Sequence, residues 1–150
     1  MTNGKRDLTY VEYLAATPEK VWQVLTDPEQ QPHFFYGTSV KSDYKPGEKF
    51  QFRSPDGGLA IDGELVATEP ARKLVHTWQF AYDPAVAAEG YGTITWELEP
   101  AGDACRLSTR HELPEGATGS EGQATAGWPM ILSQLKTLVE TGRPLVLPTH

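Results

Sequence analysis

The chain is 150 residues long, 39% hydrophobic and 22% charged, a balance that folds rather than remaining disordered. One domain is expected at this length, burying roughly 70% of the surface of the unfolded chain. A net charge of −7 with no cluster of Lys or Arg excludes a nucleic-acid interface built on phosphate neutralisation, and equally an anchor on anionic lipid. Cys105 is the only cysteine, so no internal disulfide forms and no zinc-type cysteine spacing is present. The start MTNGKRDLTYVEY lacks the apolar core of a secretory signal, and no stretch approaches the length of a membrane span. A reduced, cytoplasmic protein is the resulting expectation.

In chain order, LTYVEYLA (8–15) is rich in aromatic and branched residues and predicts a strand. Thr17 then supplies an N-cap, Pro18 a first helical residue and Glu19 a carboxylate at the positive end of the helix dipole. Val21, Trp22 and Leu25 form the inner face of that helix. Asp27-Pro28 starts a second short helix, which Pro32 is expected to end. From Gly37 the punctuation is that of an antiparallel sheet, with turns at Pro46-Gly47 and at Pro55 to Gly58. Phe50 and Phe52 share a face. LAIDGELVATEP is the next strand, with Gly63 a bulge or bend. KLVHTWQF aligns Leu74, His76, Trp78 and Phe80; TITWELEP aligns Ile94, Trp96 and Leu98; and ACRLSTRHEL aligns Cys105, Leu107, Thr109 and His111. DPAVAAEGYG between the first two of these reads as a looser segment.

GWPMILSQLKTLVETG (127–142) is an amphipathic helix. At 100° per residue, Trp128, Ile131, Leu132, Leu135, Leu138 and Val139 fall within an arc of about 120°. Pro129 disfavours α geometry at Trp128 and removes a backbone donor. Either the helix starts at Pro129, the favoured reading, or GSEGQATAG forms a separate helical turn with a kink before it. Short helices near the start, strands between and one long helix at the end give an α+β fold. Its curved antiparallel sheet has about six to seven strands, with the last helix packed across the concave face. Residues 1–143 are expected to form one domain and 144–150 an extended tail containing Pro144 and Pro148.

The set ATPEKVWQVLTDPE (16–29), KPGEKFQF (45–52), DGELVATEPARKLVHTW (62–78), TITWELEP (93–100), CRLSTRHEL (105–113) and the closing helix spans nearly the whole chain in order. It resembles the START-like, helix-grip (SRPBCC) superfamily and, within it, homologues of the activator of heat-shock-protein-90 ATPase. The resemblance implies a sheet that grips the C-terminal helix and a cavity between them. It also implies an aromatic cluster beside the pocket at Phe34, Phe35 and Tyr36, and a histidine at the strand end that matches His111.

The cavity candidates are Phe34, Phe35, Phe52, His76, Trp78, Trp96, His111, Trp128, Ile131, Gln134 and Leu135. Inward strand parity or the helix stripe selects most of them, and Phe34, His111 and Gln134 are the best candidates for contacts beyond plain core. A pocket of this composition takes a small apolar or aromatic molecule oriented by one or two polar groups. An enzyme of cyclase, aromatase or dehydratase type is the second reading, with His111 as acid–base and Tyr91 a distant alternative; no orienting carboxylate stands beside either. A chaperone-ATPase co-regulator is the third. It is disfavoured because the first strand begins by about residue 8, before any additional N-terminal domain. His33 and His150 fall in a loop-like and a tail position. The histidines lack metal-ligand spacing, no cofactor motif is found, and Cys105 reads as a buried, inert thiol. Either a monomer or a homodimer is compatible with these features.

Overall fold

A computed structural model describes residues 6–147; the end of the proposed tail, with Pro148 and His150, lies outside the described residues. The elements are β1 (Asp7–Leu14), α1 (Pro18–Thr26), a 3-10 turn (Gln31–His33), β2 (Phe52–Arg53), β3 (Leu59–Asp62), β4 (Leu65–Glu69), β5 (Lys73–Phe80), α2 (Pro84–Ala87), β6 (Gly92–Ala101), β7 (Ala104–Glu112) and α3 (Thr118–Thr141). The seven strands form one antiparallel sheet in the order β1-β7-β6-β5-β3-β2, with β4 also paired to β5. This is the expected α+β helix-grip architecture.

Strand alternation is regular along β5, β6 and β7, and it buries Leu74, His76, Trp78 and Phe80, then Ile94, Trp96 and Leu98, then Cys105, Leu107, Thr109 and His111. α1 starts as its sequence dictates: Thr17 Oγ1 accepts from the Lys20 N–H at 3.2 Å, and Pro18 takes the first helical position. Its buried face is Val21, Val24 and Leu25, with Trp22 half-buried at the edge of the core. β3 and β4 run side by side with β5 as one strand broken at Gly63. A Cβ at Gly63 would stand 2.1 Å from the Thr77 carbonyl oxygen, so only glycine admits this approach.

Three expectations are corrected. Pro32 does not end a helix but sits early in the 3-10 turn, where its missing N–H has no bond to lose. The segment read as loose contains α2, capped by Asp83 Oδ1, which accepts from the Ala85 N–H. Most consequentially, α3 does not start at Pro129: it runs unbroken through it from Thr118. The N–H that proline lacks would have bonded the carbonyl of Thr125. Thr125 lies on the exposed face of the helix, where water can take the place of the missing donor.

Both ends of α3 are tied down. At its start, Glu89 accepts from the N–H groups of Gly119 (2.9 Å) and Ser120 (2.7 Å) and from the Ser120 hydroxyl (2.7 Å). Burial would raise the Glu89 pKa, but these bonds outweigh it and hold the carboxyl below its usual range. Near its end, Lys136 donates to the Tyr13 carbonyl, and Glu140 accepts from Lys136 and from the Ala15 N–H. Gly142, in the left-handed conformation, terminates the helix. Glu89→Ala is therefore expected to lower stability by about 1–2 kcal/mol, the usual scale for losing an N-terminal cap. It should also speed amide exchange in the first turns of α3, whereas an unchanged denaturation midpoint and unchanged exchange would contradict the capping role.

Candidate functional site

The C-terminal half of α3 closes on the sheet and α1 through Leu132, Leu135, Leu138 and Val139, all buried. The N-terminal half stands off, leaving a cavity of about 480 Å³ beneath it. Its floor is Phe52, Ile61, Trp78 and Phe80 of the sheet; its roof is Gln123, Ala124, Gly127, Trp128 and Ile131 of α3; and Phe35, Tyr36 and Thr38 form one side. Tyr82 stands at the rim, where its hydroxyl donates to Gln123 Oε1 at 2.8 Å. No lining side chain carries a charge.

The side wall owes its place to a residue the sequence reading passed over. Gln31 is buried; its Nε2 donates to the Leu25 carbonyl and its Oε1 accepts from the Val40 N–H, both at 2.9 Å. These bonds close the loop of residues 32–39, which carries Phe35, Tyr36 and Thr38. Tyr36 itself has φ of +53° and Gly37 +75°, a left-handed pair that turns the Tyr36 ring onto α3. There its hydroxyl lies 3.0 Å from where a Cβ of residue 127 would be, a contact that glycine makes room for.

Of the sequence candidates, Phe35, Phe52, Trp78, Trp128 and Ile131 line the cavity. Phe34, His76, Trp96, His111 and Leu135 are buried but do not line it. Gln134 is half-buried, and its amide reaches the Leu145 carbonyl at 3.5 Å. It lies about 120° round the helix from Trp128, at the flank of the apolar stripe. Tyr91 is half-exposed and donates to Asp62, a bond that raises its phenol above the ordinary range; it is not part of the cavity wall. Cys105 is fully buried, and burial pushes its thiol up.

Beside the cavity floor, two tryptophans meet two histidines. Trp96 Nε1 donates to His76 Nε2 and Trp128 Nε1 donates to His111 Nδ1, each at 3.0 Å and fully buried. An indole N–H can only donate, so each receiving nitrogen is unprotonated. In His76, Nδ1 carries the hydrogen and donates to the Thr77 carbonyl; in His111 the hydrogen is on Nε2. Burial pushes His76 down to about 3, with the neighbouring His111 adding to the depression, and burial pushes His111 down to about 4. Trp128 packs edge-on against Trp96 at 5.4 Å and tilted against Trp78 at 5.5 Å. Trp78, the third tryptophan of this group, finds no acceptor for its buried Nε1, and the Thr109 hydroxyl is likewise unpartnered.

Comparison with known proteins agrees with this geometry. The family described as Activator of Hsp90 ATPase homolog 1-like protein matches residues 15–140. The chain belongs to that family. A search of curated proteins finds no match. Among solved structures, it is similar to MLL2253 from Mesorhizobium loti, at 26% identity over 89% of this chain and 96% of that one, with a TM-score of 0.76. It is also similar to DynU16, described as a putative protein in the dynemicin biosynthetic locus, at 25% identity over 92% of this chain but 48% of that one (TM-score 0.73). The Aha1 dimer from Colwellia psychrerythraea shares the fold at 21% identity over 92% of this chain and 98% of that one, with a TM-score of 0.71. No helix among the described residues is long and apolar enough to cross a membrane.

The two depressed histidines give the fold a defined acid dependence. A histidine held neutral in the folded state contributes fully above its unfolded pKa of about 6.5, and that contribution is lost as pH falls toward the folded value. The folded values near 4 and 3 place the loss below pH 6.5, at up to roughly 3 kcal/mol per pH unit for the pair. Urea midpoints should therefore fall steeply between pH 6.5 and 5. The double variant His76→Gln/His111→Asn, which puts an amide oxygen where each acceptor nitrogen was, should flatten that fall; an equally steep profile in the variant would contradict the assignment.

Proposed function

We propose that the protein binds a small apolar or aromatic molecule in the cavity between its sheet and the N-terminal half of α3. The observation that carries this reading is the cavity of about 480 Å³, walled mainly by aromatic rings with no charged side chain. Its size is that of ordinary small-molecule sites. A solidly packed helix-grip core would bury the same rings with more dispersion contact and no void, so the stand-off of α3 calls for an occupant. Tyr36, Tyr82 and Gln123 at the opening supply polar atoms where a bound molecule meets water.

The acid–base reading of His111 finds little support in these positions. Its Nδ1 is engaged by Trp128, its ring is buried behind the wall, and no carboxylate orients it.

The test uses the uncharged fluorophore N-phenyl-1-naphthylamine. Saturable one-to-one binding with enhanced emission is expected, and Ala124→Phe, which pushes a ring from the roof into the void, should weaken it by at least ten-fold while leaving the fold intact. Lack of saturable binding to the wild type, or binding indifferent to Ala124→Phe in a folded variant, would overturn the proposal.

A further inference from the structure

We infer that the free edge of β1 is a self-complementary docking surface for a second copy of this chain, the two β1 strands pairing antiparallel about a two-fold axis at Thr9. The inference is independent of the cavity and concerns the other end of the sheet.

The sheet ends on β1 at one side and on the two-residue β2 at the other. The Leu113 N–H donates to the Arg6 carbonyl, which fixes the phase of the pairing with β7. The even-numbered residues of β1 therefore bond to β7, and Asp7, Thr9 and Val11 aim their N–H and C=O groups at the free edge. Among the described residues those groups have no backbone partner. Natural edges are usually blunted by proline, lysine, a bulge or short length; this eight-residue strand has none of these. No long side chain shields it from above either, since the flank of α3 on the side of Lys136 carries Gly122, Thr125, Pro129 and Ser133.

Two constraints set the register. The outward Tyr13 carbonyl is taken by Lys136 and the Ala15 N–H by Glu140, so pairing stops before Tyr13. Glu12 shares the face of Leu8 and Tyr10, half-buried and without an ion pair among the described residues, a carboxylate of the kind that normally blocks an edge. With the axis at Thr9, Arg6 of the second copy stands opposite Glu12 on that face, and symmetry repeats the contact. Arg6 is already drawn to this face by Glu121 at 3.0 Å. Leu8 then meets Tyr10 of the second copy, extending an apolar surface that both residues already pack onto the core. Moving the axis to Tyr10 puts Glu12 opposite Leu8 and needs the blocked Tyr13 carbonyl; moving it to Leu8 puts Arg6 opposite Tyr10. Only the axis at Thr9 matches charge with charge.

At about 100 μM the wild type is expected to sediment at twice its 16.5 kDa mass. Thr9→Lys, which sets two ammonium groups face to face at the axis, should raise the dissociation constant roughly ten-fold or more. Thr9→Cys copies should be joined by a short bismaleimide, because their Cα atoms stand about 5.5 Å apart. The same reagent, too short for a separation of about 14 Å along the strands, should leave Val11→Cys copies unlinked. Cys105 is fully buried and does not compete for the reagent. A wild type that stays monomeric overturns the inference, as does a dimer that Thr9→Lys leaves intact or that links Val11→Cys as readily as Thr9→Cys. Thr9 and Val11 are exposed, so these variants leave the core untouched, and none of these outcomes bears on the cavity reading.

Discussion

The hydrogen bond from Trp128 to His111 is the contact on which the arrangement of this protein depends. It joins the roof helix to the end of β7 across the core, and it works only while His111 is neutral and presents its bare Nδ1. Burial enforces that state, and the companion bond from Trp96 to His76 locks the neighbouring ring in the same way. Two indole donors and two imidazole acceptors therefore form a buried polar layer inside an otherwise apolar core. Such layers specify geometry more than they add stability, because each member must be satisfied at once. Trp128 is thereby fixed in depth, and the height of the helix above the floor is fixed with it.

The cavity lies where the first half of α3 stands off the sheet. Residues 132–139 of α3 press on α1 and the sheet, and the bonds of Lys136 and Glu140 to the end of β1 hold that half down. The first half is held off at its start by Glu89, which reaches from just after α2. Between them lie Gly127, which has no side chain to pack, and Pro129, which has no backbone N–H to donate. Tyr36 rests against the glycine, closing the near side of the void. Membership in the Activator of Hsp90 ATPase homolog 1-like family accounts for the scaffold, and the chemistry of this particular void is set by its own residues.

Much of the fold was legible because its signals are local. Alternation along residues 73–80, 93–98 and 105–111 fixed which rings face inward, and Thr17-Pro18 marked the start of α1. The start of α3 is not legible, because proline inside a helix is normally expensive and points to a start at Pro129. What makes it tolerable, the exposed position of Thr125 on the outer face, is a property of the packed structure. Asp83-Pro84 carries the same cap signature as Thr17-Pro18 and marks the start of α2. Depth was not legible at all. Parity puts His76, Trp78 and His111 on one face, but only three-dimensional packing decides that Trp78 reaches the void while the histidines are packed away from it. Gln31 and Glu89, which position the side wall and the start of α3, act through contacts 9 and 30–31 residues away that no sequence pattern encodes.

The central claim is that α3 roofs an open apolar space instead of pressing on a filled core. A crystal structure determined under xenon pressure tests it most directly, because xenon enters apolar cavities without needing a specific partner. Xenon bound among Phe52, Ile61, Trp78 and Ile131, beneath the first half of α3, is the predicted result. A helix seated on the sheet at that point, with no xenon between them, would contradict the account.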